Sequence, residues 1–165
     1  MKRHTAFISI GSNMADKIGN CRSAIESLAR LERTLVLETS PFYRTAPVDY
    51  LEQDWFINAA VKLQTDLNPF QLLEELLNIQ RRAGRVKDPI RFGPRLIDLD
   101  IIFYDDAIIE TADLAIPHPR MHKRAFVLQP ICDIDPQLVH PVIQRQVQDL
   151  LQELDDPSQG IERMQ

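Results

Sequence analysis

Along the first 104 residues the hydrophobic period switches between two and about 3.6, in an order that leaves few folds open. Ala6 to Ile10 is a short β-rich run closed by the turn cluster Gly11-Ser12-Asn13. From about Ala15 to Leu31, the apolar residues Ile18, Cys21, Ile25, Leu28 and Ala29 recur at helical spacing. Leu35 to Tyr43 and Phe56 to Thr65 have strand character. Asn68 followed by Pro69 is an N-cap with proline at the first helical position, and predicts a helix through Leu72, Leu73, Leu76, Leu77 and Ile79 to Gly84. Ile97 to Tyr104 is another strand. The order βαββαβ predicts an α+β, ferredoxin-like fold: an antiparallel sheet with both helices packed on one face, followed by a C-terminal extension. In the extension, Ala107 to Ile109 is expected to pair as an extra strand, and Arg124 to Cys132 and Val142 to Leu154 to form short helices. The acidic, Gln-rich tail after about Asp155 is expected to fray. No repeat or Gly/Ser linker divides the chain, so residues 1–165 are expected to form a single domain.

The last strand of that unit carries an anomaly. In RFGPRLIDLDIIFYD, Asp98 and Asp100 sit two residues apart inside an apolar run. Aspartate is depleted in strands, and alternation sends both carboxylates to one face with Cα atoms roughly 6–7 Å apart. Such a pair persists if the face is open to water or if a cation sits between the groups. The preceding residues favour the cation. Between Arg81 and Arg95 there are six cations (Arg81, Arg82, Arg85, Lys87, Arg91, Arg95) against one acid, Asp88. The chain carries −5 overall, so this segment at +5 leaves −10 for the rest. That balance argues against a nucleic-acid binder and for a local anion site such as a polyphosphate. Mg²⁺ is usually held by one or two carboxylates plus phosphate oxygens and water, and arginine matches phosphate bidentately. Two aspartates behind an arginine-rich loop therefore predict a Mg-nucleotide site. A P-loop is absent: Gly11 to Lys17 lacks the second glycine and the Lys-Ser/Thr pair.

Two connections, Arg44 to Trp55 and Gly84 to Arg95, are long for so small a domain and lack periodicity. Loops of about that length are commonly lids or binding loops. The second holds most of the basic cluster and is expected to order when phosphate arrives. His118 and His122 lie four residues apart, yet no third zinc ligand is evident. Cys21 and Cys132 are too few for a disulfide framework and are expected to stay reduced. The apolar stretch after Lys2-Arg3 is too short for a signal peptide, and no run approaches the ~18 apolar residues of a membrane span, so the expected setting is cytoplasmic.

Six blocks, in order, resemble one family. ISIGSN, FYRTAP, FINAAV, GRVK, RFGPRLIDLDII and IPHPRM with RAFVLQP are similar to the signature of the 6-hydroxymethyl-7,8-dihydropterin pyrophosphokinases, folate-synthesis enzymes that move pyrophosphate from ATP to a pterin alcohol. The resemblance runs from Ile8 to about Pro136. It implies that Asp98 and Asp100 hold two Mg²⁺ ions bound with ATP, and that Arg85 and Arg95 are catalytic-loop arginines. It implies nucleotide contacts at Lys87, Arg91, Phe92, Ile101, His118 and Arg124. On the pterin side it implies that Phe56 and Phe126 sandwich the ring, that Asn58 reads its polar edge, and that Thr45, Pro47 and Val48 lie beside it. The chemistry agrees: a flat heteroaromatic ring suits two aromatic faces, and an amide can donate and accept at one edge. The implied partners are ATP and a pterin alcohol, without nucleic acid or membrane, and a monomer is favoured. The chain also departs from the family. Leu77 and Gln80 stand where relatives often carry Gln and Glu near the adenosine. Asp113, Ala115 and Pro119 replace side chains that some relatives use around ATP, and Phe92 stands where many have Trp.

Two other classes share parts of this pattern. A two-metal nucleotidyl transferase also needs paired aspartates, but its template would meet the −10 remainder. An RNA-recognition module also has the order βαββαβ, but its third strand carries a basic, aromatic-rich motif that Phe56 to Leu63 lacks.

Overall fold

A computed structural model describes residues 3–47, 52–84, 96–154 and 159–164. Its centre is an antiparallel sheet in which β1 (His4–Ser12) lies between β4 (Phe56–Thr65) and β5 (Asp98–Tyr104). On the far side of β4 two short strands share its length, β2 (Thr34–Thr39) and β3 (Tyr43–Thr45). The predicted strand from Leu35 to Tyr43 is thus divided. Ser40 explains the break: its N–H donates to the Ala60 carbonyl (2.8 Å), and its Oγ accepts from the Ala60 N–H (2.8 Å) in place of a strand carbonyl. Pro41 follows and has no N–H to offer a ladder.

Helices α1 (Lys17–Ala29) and α2 (Pro69–Arg82) cover one face. The capping box expected at Asn68 is present, since Asn68 Oδ1 accepts from Gln71 N (2.8 Å) and Gln71 Oε1 accepts from Asn68 N (2.9 Å). Strand alternation decides what these helices meet. Ala6, Ile8, Ile10, Val61, Leu63, Leu99 and Ile101 point at them and bury Cys21, Leu28, Leu72 and Leu76. The opposite face is covered by α3 (Ala125–Ile134) and α4 (Val147–Glu153), which bury Phe7, Ala60, Ile102 and Phe103 against Leu128, Ile131 and Val147. Each fully buried side chain of this size contributes about 1.5–3 kcal/mol, so the sheet is held from both sides. The extra strand expected at Ala107 to Ile109 is displaced: Ala107 N closes a turn onto the Tyr104 carbonyl (3.0 Å), and pairing begins only at Ile109, as β6 (Ile109–Glu110) with β7 (Ala115–Ile116) outside the main sheet.

The tail corrects an expectation. Fraying after about Asp155 does not hold for residues 159–164, because β8 (Ile161–Arg163) pairs with β3 as the sheet's edge. Ile161 lies opposite Thr45, and Met164 N donates to the Phe42 carbonyl (2.8 Å). Composition suggested a solvated tail; the unpaired edge of β3 gave three of its residues a ladder to join. Burial raises the Cys21 thiol to about 12 and the Cys132 thiol to about 11, so both stay protonated at neutral pH.

Candidate active site

The register aligns the candidate residues in rows across the sheet. Asp98 pairs with Gly11, Gly11 with Asn58, and Asn58 with Tyr43. Asp100 pairs with Ser9 and Ser9 with Ala60. Residues opposite one another share a face, so Asp98, Asp100 and Asn58 all lie on the α3 side with Ala60. Strands stand about 4.8 Å apart, which puts Asp98 and Asn58 roughly 9–10 Å apart with Gly11 between them. Gly11 is there for close approach: a Cβ on it would come within 2.8 Å of Asn58 Oδ1 and 3.8 Å of Phe56 Cδ1. The missing side chain is what lets the Asn58 amide and the Phe56 ring lie over β1 at this point.

Asn58 is buried and its Nδ2 donates to Thr45 Oγ1, which fixes the amide's orientation. Phe56, two residues earlier on β4, shares Asn58's face and pairs with Thr45. Phe126 comes from the first turn of α3, half-buried above the sheet, with the Arg124 guanidinium 5.4 Å from its ring centroid. Pro47 follows Thr45 and is half-buried. The far end of the long connection is tied down as well. Lys17 Nζ meets Asp54 Oδ2 at 2.6 Å, and that hydrogen bond holds the Asp54 carboxyl below its usual range. Asn13 Nδ2 donates to Gln53 Oε1 (2.8 Å) and to the Asp54 carbonyl (3.2 Å). The turn after β1 therefore positions the residues leading into Phe56.

The residues expected to contact a nucleotide are partly within the described ones. His118 N donates to the Ile102 carbonyl (3.1 Å), placing the ring beside β5, and its Nδ1 accepts from Arg120 N (3.2 Å). That bond assigns the ring proton to Nε2. Burial pushes the His118 imidazole down to about 4; Arg124 and Arg120 press the same way, and Asp98 opposes them. His118 is therefore neutral at neutral pH. Because the unfolded chain takes up this proton near pH 6.5 and the folded one near pH 4, ligand-free stability should fall as pH drops through that window. His118→Gln should flatten that slope in urea titrations between pH 7 and 4.5, and an unchanged slope would remove His118 from the account.

Ile101 is placed differently. Its side chain is buried among α1 and α2, on the face away from the aspartates, so only its backbone can reach a nucleotide. Arg85, Lys87, Arg91, Phe92, Arg95 and Val48 lie outside the described residues. His122 packs edge-on against His140, ring centroids 6.3 Å apart. Among the described residues no group of three or more His, Cys, Asp or Glu forms a metal cluster. Two carboxylates alone leave most of a hard cation's shell to phosphate and water, as suits Mg²⁺ better than a protein-caged metal.

Two supports escaped the sequence reading. Gln80, buried on α2, accepts from Leu99 N with its Oε1 (2.7 Å), gripping β5 between the two aspartates. The departure from Glu noted above therefore keeps the acceptor and drops a charge near the pair. Gln80→Leu strands the Leu99 N–H, which should cost about 1–3 kcal/mol in denaturant unfolding, whereas Gln80→Glu keeps the bond. Equal stability of the Leu variant and the parent would contradict this. Tyr43 Oη donates to Asp133 Oδ2, fastening β3 to α3; burial and the Asp133 carboxylate push the phenol up to about 12. No local signal marks either contact, since both cross between elements distant in sequence.

Comparison with known proteins points to one family. A family model described as 7,8-dihydro-6-hydroxymethylpterin-pyrophosphokinase matches residues 7–136. A Methylorubrum extorquens protein named 2-amino-4-hydroxy-6-hydroxymethyldihydropteridine pyrophosphokinase is 42% identical over 160 residues, 97% of this chain and 98% of its own length. The Bacillus subtilis protein of the same name is 43% identical over 129 residues, covering 78% of this chain and 77% of its own. The Schizosaccharomyces pombe folic acid synthesis protein fol1 is 40% identical over 160 residues, and this chain spans only 21% of its length. Among solved structures, a Plasmodium falciparum HPPK-DHPS superposes with a TM-score of 0.73 at 15% identity, over 92% of this chain and 45% of that one. At that identity the likeness concerns the fold.

Proposed function

The chain belongs to the 7,8-dihydro-6-hydroxymethylpterin-pyrophosphokinase family, and from that premise we propose that it transfers pyrophosphate from ATP to 6-hydroxymethyl-7,8-dihydropterin, giving the pterin diphosphate and AMP in folate biosynthesis. The observation that carries the reading is the row Asp98–Gly11–Asn58: a carboxylate and a ring-edge amide about two strand spacings apart, with a strip between them that carries no side chain of its own. A pterin lying on that strip, its polar edge at Asn58, would direct its hydroxymethyl group toward Asp98.

In the reaction the hydroxymethyl oxygen attacks the β-phosphorus, the bond to the α-phosphate oxygen breaks, and AMP leaves while the hydroxyl proton passes to solvent. Asn58 and Thr45 hold the ring in plane, and Phe56 and Phe126 cover its faces and exclude water. Asp98 and Asp100 would hold Mg²⁺, two ions by family resemblance, whose Lewis acidity neutralises charge on the phosphate oxygens. His118, neutral, offers an Nε2–H donor, and Arg124 offers a permanent cation beside Phe126. Family resemblance supports the same phosphate-side roles for Arg85, Lys87, Arg91, Phe92 and Arg95, and a pterin-side role for Val48. The catalytic power rests on positioning and charge neutralisation. No helix among the described residues is long and apolar enough to cross a membrane. Two free cysteines, too few for a disulfide framework, are what support a reducing, cytoplasmic setting. The test supplies ATP, Mg²⁺ and the pterin alcohol and separates the nucleotide products. AMP that depends on pterin is expected; ADP, or no turnover, would overturn the reading.

A further inference from the structure

We infer that Gln159 is a positioning residue for both halves of the site, clasping the N-terminus of α3 and so setting where Arg124 and Phe126 stand. This rests on the function proposed above. Helix α3 begins abruptly. A single 3₁₀ turn, Met121–Lys123, precedes it, and its cap residue Arg124 has extended backbone (φ −124°, ψ 108°) and supplies no side-chain capping bond. The first amides of a helix need partners, and a serine or aspartate at the cap is the usual source. Here the partner comes from the other end of the chain. Gln159 Oε1 accepts from Ala125 N (2.9 Å), and Gln159 Nε2 donates to the Lys123 carbonyl (2.9 Å). One amide thus grips the backbone on both sides of Arg124, fixing the direction of its side chain and, one residue on, that of Phe126.

The clasp is itself anchored at the pterin end. Ala46 N donates to the Gly160 carbonyl (2.9 Å), and Ile161 pairs with Thr45. Gly160 passes so close beneath Trp55 that a Cβ would lie 3.2 Å from the indole. Residues 159–161 therefore touch the segment of Thr45 and Pro47, the approach to Phe56, and the start of α3 at once. A tail that merely closed the sheet edge would need only the ladder at Ile161–Arg163. The Gln159 amide adds a link from that edge to the helix bearing one wall of the pterin slot and one nucleotide contact.

The test compares Gln159→Ala with Met164→Ala, which loosens the opposite end of the same tail where Met164 packs on the core. Losing both bonds of the clasp should raise KM for ATP and for pterin by about fivefold or more, with kcat changed less. In ligand-free protein, hydrogen exchange should speed at the Ala125 amide. Met164→Ala should lower Tm and leave both KM values near the parent's. Unchanged KM in Gln159→Ala, or an equal rise in Met164→Ala, would overturn the clasp. If the parent makes no pterin-dependent AMP, the proposed reaction fails instead. The exchange measurement then decides the clasp alone, an unaltered Ala125 amide overturning it.

Discussion

Asp98→Asn and Asp100→Asn should each cut turnover by a hundredfold or more, on the order of several kcal/mol of lost charge stabilisation at about 1.4 kcal/mol per tenfold. Each substitution keeps the side chain's shape and its place on the α3 face of β5. With Mg²⁺ and ATP the parent should gain more thermal stability than either variant, because only it keeps both carboxylates. Calorimetric titration of ATP with and without Mg²⁺ gives a readout apart from activity: the Mg²⁺ dependence of ATP binding should weaken in both variants. Near-parental turnover in either at limiting Mg²⁺ would move the metal-binding role away from this strand.

The sequence made the aspartates conspicuous because they break a rule: charged residues do not recur on one face of an apolar strand without cause. The strand order was legible for a related reason, since each element announces its period, and Asn68-Pro69 with Gln71 marks the start of α2 by local chemistry. Contacts whose two ends are far apart in the chain stayed hidden. Gln80 looked like a nucleotide-side position, yet its amide is committed to Leu99 N, nineteen residues away. Gln159 sat in a tail whose composition reads as solvated, and its partners are Lys123 and Ala125. Ile101 was matched to the nucleotide by position, while the alternation of β5 turns its side chain into the core. Ser40 ends a strand by substituting a hydroxyl for a carbonyl, a bond to Ala60 that no neighbouring residue reveals. Periodicity reports what a residue does for its own element; it carries no information about which distant backbone group a buried amide or hydroxyl will satisfy.

Gly11→Ala should weaken productive pterin binding by roughly a hundredfold while leaving ATP binding close to the parent's. The added methyl would stand 2.8 Å from Asn58 Oδ1, well inside contact distance, and 3.8 Å from Phe56 Cδ1. Gly11 lies mid-sheet, paired on both sides, so the backbone has little room to withdraw. The Asn58 amide must turn instead, breaking its bond to Thr45 Oγ1 and taking its polar edge out of register with the ring. An unpaired buried amide costs about 1–3 kcal/mol, and the methyl also fills part of the strip proposed for the pterin, so the pterin KM should rise by roughly a hundredfold. Asn58→Ala alone should lose the ring-edge hydrogen bonds, at about tenfold or more in pterin affinity, with ATP affinity unchanged. The double variant separates the two effects. If the Gly11 methyl acts mainly by displacing Asn58, adding it to Asn58→Ala should cost far less than adding it to the parent, a coupling expected only of groups in contact. Full additivity would mean that the methyl blocks the ring directly and that Asn58 is a bystander to it. A loss confined to ATP would place Asn58 and Gly11 on the nucleotide side and detach the pterin from this end of the sheet.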